Sequence, residues 1–183
     1  MVRFSSVIRG AAVAAIGLTT LASSALAIDT VTQVINGGTL SATVADASLT
    51  AIPFSNAAGL STGVLFLNVN DARGVGTGWN VTIASSAFDY TGSSPIGIDI
   101  PNTGFQTTGY GTLVVNAGQA VPPPTTEVGG TFSAAVPVFE AASGSGSGVY
   151  TQPINVSLAI PAQSQAGTYI ATLTVTVSDG ATP

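Results

Sequence analysis

The stretch Asp71-Ala-Arg-Gly-Val-Gly-Thr-Gly-Trp-Asn-Val-Thr-Ile83 contains the single tryptophan of the chain, Trp79, and the single basic residue that follows position 9, Arg73. Its glycines recur at every second position, which indicates a turn. From Trp79 onward the side chains alternate between apolar and polar, with Val81 in phase with the indole, as is typical of a strand with one buried face. The stretch therefore predicts a glycine-rich turn that leads into a half-buried strand.

Short β-prone segments separated by Gly and Pro continue on both sides of this stretch. Residues 64–69 form a nearly continuous apolar run, which predicts a strand covered on both faces. Residues 154–160 and 169–177 alternate between the two kinds of side chain. About eight to ten strands with no helical period predict an all-β protein, a single β-sandwich of immunoglobulin-like or related Greek-key topology. The central strands are predicted to be residues 64–69, 79–83, 154–160 and 169–177.

Weaker patterns concern the edges and connections of the sandwich. Asn36-Gly-Gly38, between residues 30–35 and 40–44, predicts an N-terminal hairpin. Pro137 inside residues 132–139 predicts an edge strand or a bulge. Val-Pro-Pro-Pro-Thr-Thr at residues 121–126 predicts a stiff connector within one domain. Ser-Gly-Ser-Gly-Ser-Gly at residues 143–148 predicts a flexible loop.

The first 27 residues have the three parts of a secretory signal peptide. They carry Arg3 and Arg9, then an apolar segment too short to span a bilayer, then Ala25 and Ala27 at a cleavage site. Removing 27 of 183 residues leaves the 156 residues 28–183, which is the size of one domain. That exported chain has one Arg against eight carboxylates, a formal charge of −7, which argues against nucleic acid as a partner. Since no second apolar segment of membrane-spanning length follows, we expect the exported chain to be released from the membrane.

The residue inventory excludes most catalytic chemistry. Cys, His and Lys are absent, so the chain has no thiol or imidazole and no base to activate a serine nucleophile. The acids are scattered singly, in no spacing that indicates a carboxylate pair or a metal site, so we expect a protein that is not an enzyme and that has no cofactor. Asn68, Asn70 and Asp71, with Asp89 or Asp99, offer oxygens to a calcium ion. Their spacing matches no EF-hand loop, and turn capping is the better interpretation.

Two distant regions of the chain carry motifs that are found together elsewhere. The proximal region reads Asp71-Ala-Arg73-Gly and then Gly78-Trp79-Asn-Val81, and the distal region reads Gly167-Thr-Tyr169 and then Leu173-Thr-Val175-Thr-Val177-Ser-Asp. In content and order they resemble the two patterns of the WxL domain of bacterial surface proteins. The proximal pattern of that family is Asp-x-Arg followed by Gly-Trp-x-(Leu or Val). The distal pattern is Gly-Thr-Tyr followed by Leu-Thr-Trp-x-Leu. The resemblance covers most of residues 29–183.

This resemblance implies a non-catalytic, exported β-sandwich that attaches non-covalently to the cell envelope, with peptidoglycan or another envelope glycan as its partner. It also implies that the motif residues are candidate binding residues, namely Asp71, Arg73, Gly78, Trp79, Val81, Tyr169, Val175 and Val177. In this chain Val175 stands at the position of the distal Trp and Val177 at that of the expected Leu. Trp79-Asn-Val81 is therefore the one Trp-x-Leu-like motif that remains.

Trp79 and Arg73 each allow a structural and a binding interpretation. We interpret Trp79 as a core residue rather than a platform for sugars, because large aromatic side chains dominate sandwich cores. Arg73 is expected to pair with Asp71 or another carboxylate and fix the turn, because a lone cation in a negatively charged protein attracts anions weakly. Envelope binding would then use end loops such as residues 71–78 or 144–148.

Other function classes remain open beside envelope attachment. The second class, after attachment, is a self-assembling subunit of a surface layer or filament, in which residues 30–35 add to the sheet edge of a neighbouring copy. Other surface proteins are further candidate partners. A carbohydrate-binding module for an external polysaccharide is the third class. Pelleting with cell walls indicates attachment, whereas polymers that form without walls indicate assembly.

Overall fold

A computed structural model describes residues 32–121 and 130–180. The chain divides into two compact units, Met1–Ile35 and Asn36–Pro183. In the first unit, the described residues 32–35 form no helix or strand. The predicted signal peptide with its cleavage site, and residues 122–126 of the predicted connector, lie outside the described residues.

The described residues of the second unit form an all-β fold with one short 3₁₀ helix at Asn102–Gly104. The strands are β1 (Leu40–Val44), β2 (Gly59–Asp71), β3 (Trp79–Ser85), β4 (Asp89–Tyr90), β5 (Phe105–Tyr110), β6 (Val114–Gly118), β7 (Val136–Ala141), β8 (Gly148–Ile160), β9 (Tyr169–Ile170) and β10 (Leu173–Asp179).

Two antiparallel sheets build the sandwich. The larger sheet has the order β1-β2-β8-β5, with β6 also paired to β8, and the smaller sheet has the order β10-β3-β7. A two-stranded ribbon pairs β4 with β9. Most neighbouring strands are distant in sequence, so the connections cross repeatedly between the sheets, as they do in Greek-key sandwiches. The predicted fold class is therefore confirmed.

The core lies between the two sheets and is aromatic at one end. Trp79, Val81 and Ile83 are fully buried, which confirms the predicted phase of β3. The Trp79 ring lies edge-on to Phe139 of the same sheet, with ring centroids 4.9 Å apart, and 5.8 Å from the ring of Tyr150 in the larger sheet. Trp79 thus joins the two layers of the sandwich.

Strand β2 is longer and less covered than its sequence predicts. Leu65 and Leu67 are buried, but Phe66 between them is 49% exposed. The prediction that residues 64–69 are covered on both faces is wrong, because the outward face of the larger sheet is in contact with solvent. Apolar composition alone does not distinguish such a strand from one that is covered on both sides.

The prediction of an N-terminal hairpin is also wrong for the residues that the structure describes, from residue 32 onward. Residues 32–39 form no strand, and β1 pairs with the far end of β2 instead. Gly38 donates its N–H to the carbonyl of Ala72, and a Cβ on Gly37 would lie 2.3 Å from the carbonyl oxygen of Arg73. The glycines are thus needed for a close approach between two backbone segments, not for a hairpin turn.

The segment 169–177 keeps its predicted alternation but is not one strand. At Thr172 the chain leaves the β4–β9 ribbon and joins the smaller sheet, where the Thr172 carbonyl accepts a hydrogen bond from the N–H of Ser86. β10 pairs with β3 on one side and is an edge strand, so its predicted central position is wrong. The prediction for Pro137 is confirmed, because β7 is an edge strand whose register shifts next to this residue.

Candidate functional site

Asp71 and Arg73 form a two-pronged ion pair where β2 ends. The carboxylate of Asp71 accepts hydrogen bonds from Nε of Arg73 at 2.9 Å and from its Nη2 at 3.0 Å. It also accepts the backbone N–H of Arg73 at 3.1 Å, which is the turn-capping arrangement expected from the sequence. Nη2 of Arg73 donates in addition to the carbonyl of Gly78 at 2.9 Å, so the guanidinium spans the glycine-rich turn and holds its two ends together. The predicted pairing of Arg73 with a carboxylate is confirmed.

A second carboxylate, from the other end of the sequence, completes this cluster. Asp179, the last residue of β10, accepts hydrogen bonds from Nη1 of Arg73 and from the hydroxyl of Thr77. The strand register places Asp179 directly opposite Trp79, and the N–H of Gly180 donates to the carbonyl of Gly78 at 3.1 Å. We call the group Asp71, Arg73 and Asp179 the clasp, since it joins the proximal and distal motifs.

The charges of the clasp stabilise each other. Hydrogen bonds from Arg73 hold the pKa of Asp71 below its usual value, although the carboxylate is almost fully buried and burial acts in the opposite direction. Hydrogen bonds from Thr77 and Arg73 likewise lower the pKa of Asp179, and the Asp71 carboxylate raises the pKa of Arg73. Both acids are therefore ionised at neutral pH, and the single guanidinium is shared between them.

Trp79 pairs with the clasp residue Asp179 across the smaller sheet, and its indole N–H has a partner inside the protein. Its Nε1–H donates to the carbonyl of Gly146 at 2.9 Å. A Cβ on Gly146 would lie 2.6 Å from Trp79 Nε1 and 2.5 Å from Ala141 Cβ, so only glycine fits there. The Ser-Gly run that was expected to be a flexible loop therefore packs on the indole. It also joins the proximal turn, because Gly144 donates its N–H to the carbonyl of Gly76 at 2.7 Å.

The distal motif residues have separate environments. Val175 and Val177 pair with Ile83 and Val81 across the smaller sheet and are half-buried against the core. Tyr169, on β9, donates its hydroxyl hydrogen to the carbonyl of Gln165 at 2.8 Å. The structure thus unites Asp71, Arg73, Gly78 and Trp79 in one cluster, whereas Tyr169 belongs to the ribbon.

A groove of about 1200 Å³ runs between the β1–β2 connection and the segment that contains β9 and β10. Its floor is formed by core side chains, including Leu65 and Phe105, and its wall includes Tyr169 and Val175. The position of the distal Trp therefore faces open space here, because valine fills much less of the groove than an indole would.

The oxygens considered for calcium are distributed over different partners. Asn68 accepts a hydrogen bond from Thr151, and Asp99 accepts the N–H of Tyr90. In residues 32–121 and 130–180, no group of three or more metal-ligating side chains of the His, Cys, Asp or Glu type occurs.

Sequence reasoning missed three members of this site. Asp179 was not singled out as the second partner of Arg73, although the distal motif ends on an acid. Thr77 and Gly146 gave no usable signal, because a hydroxyl and a glycine are common in any turn.

The cluster that joins the proximal and distal motifs agrees with a comparison of the sequence with protein-family models. The model of the family described as "WxL domain surface cell wall-binding" matches residues 18–181. The chain belongs to the WxL family. As a WxL-domain protein it is a cell-wall-binding protein of the cell surface. No curated protein and no solved structure matches the chain. Within the described residues, no helix of this WxL domain has the length and apolar character needed to cross a membrane.

Proposed function

We propose that the exported WxL domain attaches non-covalently to peptidoglycan and has no catalytic role. The observation that carries this proposal is the family match over residues 18–181, together with the two motif regions meeting in one cluster. A cluster built from two distant parts of the matched region supports a single binding domain rather than two independent modules.

In this proposal the motif residues support the exposed surface from inside the domain, and we call this support the frame. Trp79 is fully buried, and the guanidinium of Arg73 is occupied by two carboxylates and a carbonyl. Trp79 cannot contact a polymer unless the domain opens, and the Arg73 guanidinium already has its partners inside the protein. In this proposal, contact with the wall is therefore made by exposed residues that the frame supports. The replacement of the distal Trp by Val175 is then compatible with attachment, because Val175 keeps its place opposite Ile83.

The non-catalytic part of the proposal is supported by the chemistry of the cluster. A carboxylate pair can perform acid–base catalysis when one member is protonated and the other ionised. Here Arg73 bridges Asp71 and Asp179, and the pKa values of both acids are lowered. Both carboxylates therefore stay ionised near neutral pH, so the pair has no protonated member that could act as a general acid.

Co-sedimentation tests the proposal. The exported protein is incubated with purified peptidoglycan sacculi and, in parallel, without them. We expect pelleting only with sacculi, and release of intact protein by denaturant, since no covalent bond is formed. Protein that stays in solution with sacculi contradicts the proposal. Concentration-dependent polymers without sacculi would instead support the surface-layer subunit, and fragments released from the sacculi would show catalysis.

A further inference from the structure

The outward face of the larger sheet is built mainly by its two longest strands, β2 and β8, with 13 residues each. We call it the outer face and define it by the side chains that β2 and β8 direct away from the core. They alternate with inward-facing neighbours along both strands, and they are Leu60, Thr62, Val64, Phe66, Asn68 and Asn70 on β2, and Val149, Thr151, Pro153, Asn155 and Ala159 on β8. Ser157 has the same phase on β8 but is buried.

The outer face carries no charge, in a protein whose eight acids outnumber its three bases. Of all residues in β1, β2, β5, β6 and β8, only Asp71 is charged, and it is buried in the clasp. Other described acids are found elsewhere, such as Glu140 on β7 and Asp179 on β10. Like charges repel over several ångströms even in salt solution, so this face can approach a neutral or anionic polymer more closely than the other faces.

A row of amide and hydroxyl groups crosses three strands of the outer face. Asn116 of β6 donates from Nδ2 to the hydroxyl of Thr151 at 2.9 Å, and that hydroxyl donates to Oδ1 of Asn68 at 2.8 Å. These bonds fix both amides. The bonds use neither Oδ1 of Asn116, which is an acceptor, nor Nδ2 of Asn68, which is a donor; both residues are exposed and stand about two strand spacings, or 10 Å, apart.

An apolar row lies directly beside this polar row. Phe66 pairs with Pro153 in the sheet register, two residues before Asn68 and thus about 7 Å away along the strand. Phe66 is 49% exposed and Val64, two residues before it on the same face, is 37% exposed, so about half of the Phe66 side chain is accessible to a ligand. An exposed aromatic ring flanked by fixed amides suits a pyranose, which has an apolar ring face and a rim of hydrogen-bonding groups.

We propose that the outer face is the glycan-binding surface of the domain and takes a strand of N-acetylated sugars that runs across β2, β8 and β6. Phe66 stacks on the apolar face of one sugar. The row Asn68, Thr151 and Asn116 offers both a donor and an acceptor, which an acetamido group requires because it has one N–H and one carbonyl. This inference rests on the proposed attachment to peptidoglycan and assigns the surface that performs it.

Two pairs of matched variants test the assignment. Phe66→Ala removes the platform, and Phe54→Ala is its control, because Phe54 is 57% exposed on the β1–β2 connection beside the groove. Asn68→Asp adds a carboxylate to the uncharged face without a change in size, and Asn56→Asp adds the same charge on the β1–β2 connection, where Asn56 is exposed. Binding to sacculi is measured by pelleting, with N-acetylglucosamine oligomers as soluble competitor, and folding by circular dichroism.

We expect each outer-face variant to weaken binding to sacculi at least about ten-fold with its fold intact, while each control stays within about two-fold of the wild type. The soluble oligomers should compete for the wild-type protein. If the wild type pellets but the outer-face variants bind equally well, the surface assignment is overturned and the attachment stands. Loss of binding in Phe54→Ala would move the site to the groove. Loss of a wild-type dimer in Phe66→Ala would assign the outer face to a second copy instead. Failure of the wild type to pellet overturns both proposals.

Discussion

Replacement of Trp79 by alanine tests the frame at its centre. The indole is fully buried between two aromatic rings and the Ser-Gly run, so removal leaves a cavity that the packed sheets can fill only in part. Truncation of a buried Trp costs about 3–5 kcal/mol, and loss of the hydrogen bond to Gly146 is expected to account for about 1 kcal/mol of it. Total stabilities of domains are about 5–15 kcal/mol, so the variant should keep only part of its stability.

Urea unfolding followed by far-ultraviolet circular dichroism measures this loss, because the variant has no tryptophan left to report by fluorescence. The melting temperature should fall by about 10–20 °C. Trp79→Phe keeps an aromatic ring but loses the hydrogen bond to Gly146, so its melting temperature should lie between those of the alanine variant and the wild type. In the wild type, emission of the single tryptophan should be blue-shifted and resistant to soluble quenchers. Water-like emission, together with an alanine variant that melts within about 3 °C of the wild type, would refute the buried frame and favour an exposed platform.

Three further predictions concern the clasp, the Ser-Gly run and the groove. Because Arg73 lowers the folded pKa of Asp71, the ionised acid adds stability above about pH 4 that is lost as the pH falls through that lowered pKa. Asp71→Asn should therefore reduce stability near neutral pH and flatten its acid dependence, measured by urea titrations across pH; an unchanged profile contradicts this. Gly146→Ala and Gly144→Ala both place alanine in a left-handed backbone conformation, but only the Cβ at position 146 meets close neighbours. The free energy of unfolding of Gly146→Ala should therefore be about 1–3 kcal/mol lower than that of Gly144→Ala. Equal melting temperatures of the two variants would refute the close packing at Gly146. In Val175→Trp the indole can enter the groove, so the melting temperature should stay equal or rise, and binding to sacculi should not change. A large fall in melting temperature would contradict the space in the groove. Tighter binding would contradict the interpretation that the motif residues only support the binding surface.

Local patterns predicted the parts of this structure that depend on local chemistry. Alternation placed Trp79, Val81 and Ile83 on a buried face, since a strand with one covered side must alternate. A lone cation next to an acid predicted the pairing of Arg73 with Asp71. Short alternating segments with no helical period predicted the all-β fold, and the motif resemblance predicted the family.

Long-range neighbours could not be predicted in the same way. Asp179 lies 106 residues from Arg73, and nothing in either segment specifies that β10 pairs with β3. Gly37 and Gly146 show the same difficulty, because a glycine chosen for close contact with a distant segment looks identical to one chosen for a turn. The exposed state of Phe66 also depends on the number of layers over the larger sheet, which the strand itself does not encode.

The clasp has a consequence for survival outside the cell. Trypsin-like proteases cut after Lys or Arg, and in residues 28–183 Arg73 is the single such position. Its side chain is only 13% exposed and is bound to two carboxylates, so a protease must wait for the clasp to open before Arg73 can enter the protease's binding pocket. Cleavage then follows the rare opening of the domain rather than its folded state. The residue that joins the ends of the fold is thereby also its one concealed tryptic site, and digestion rate becomes a direct readout of how often the sandwich opens.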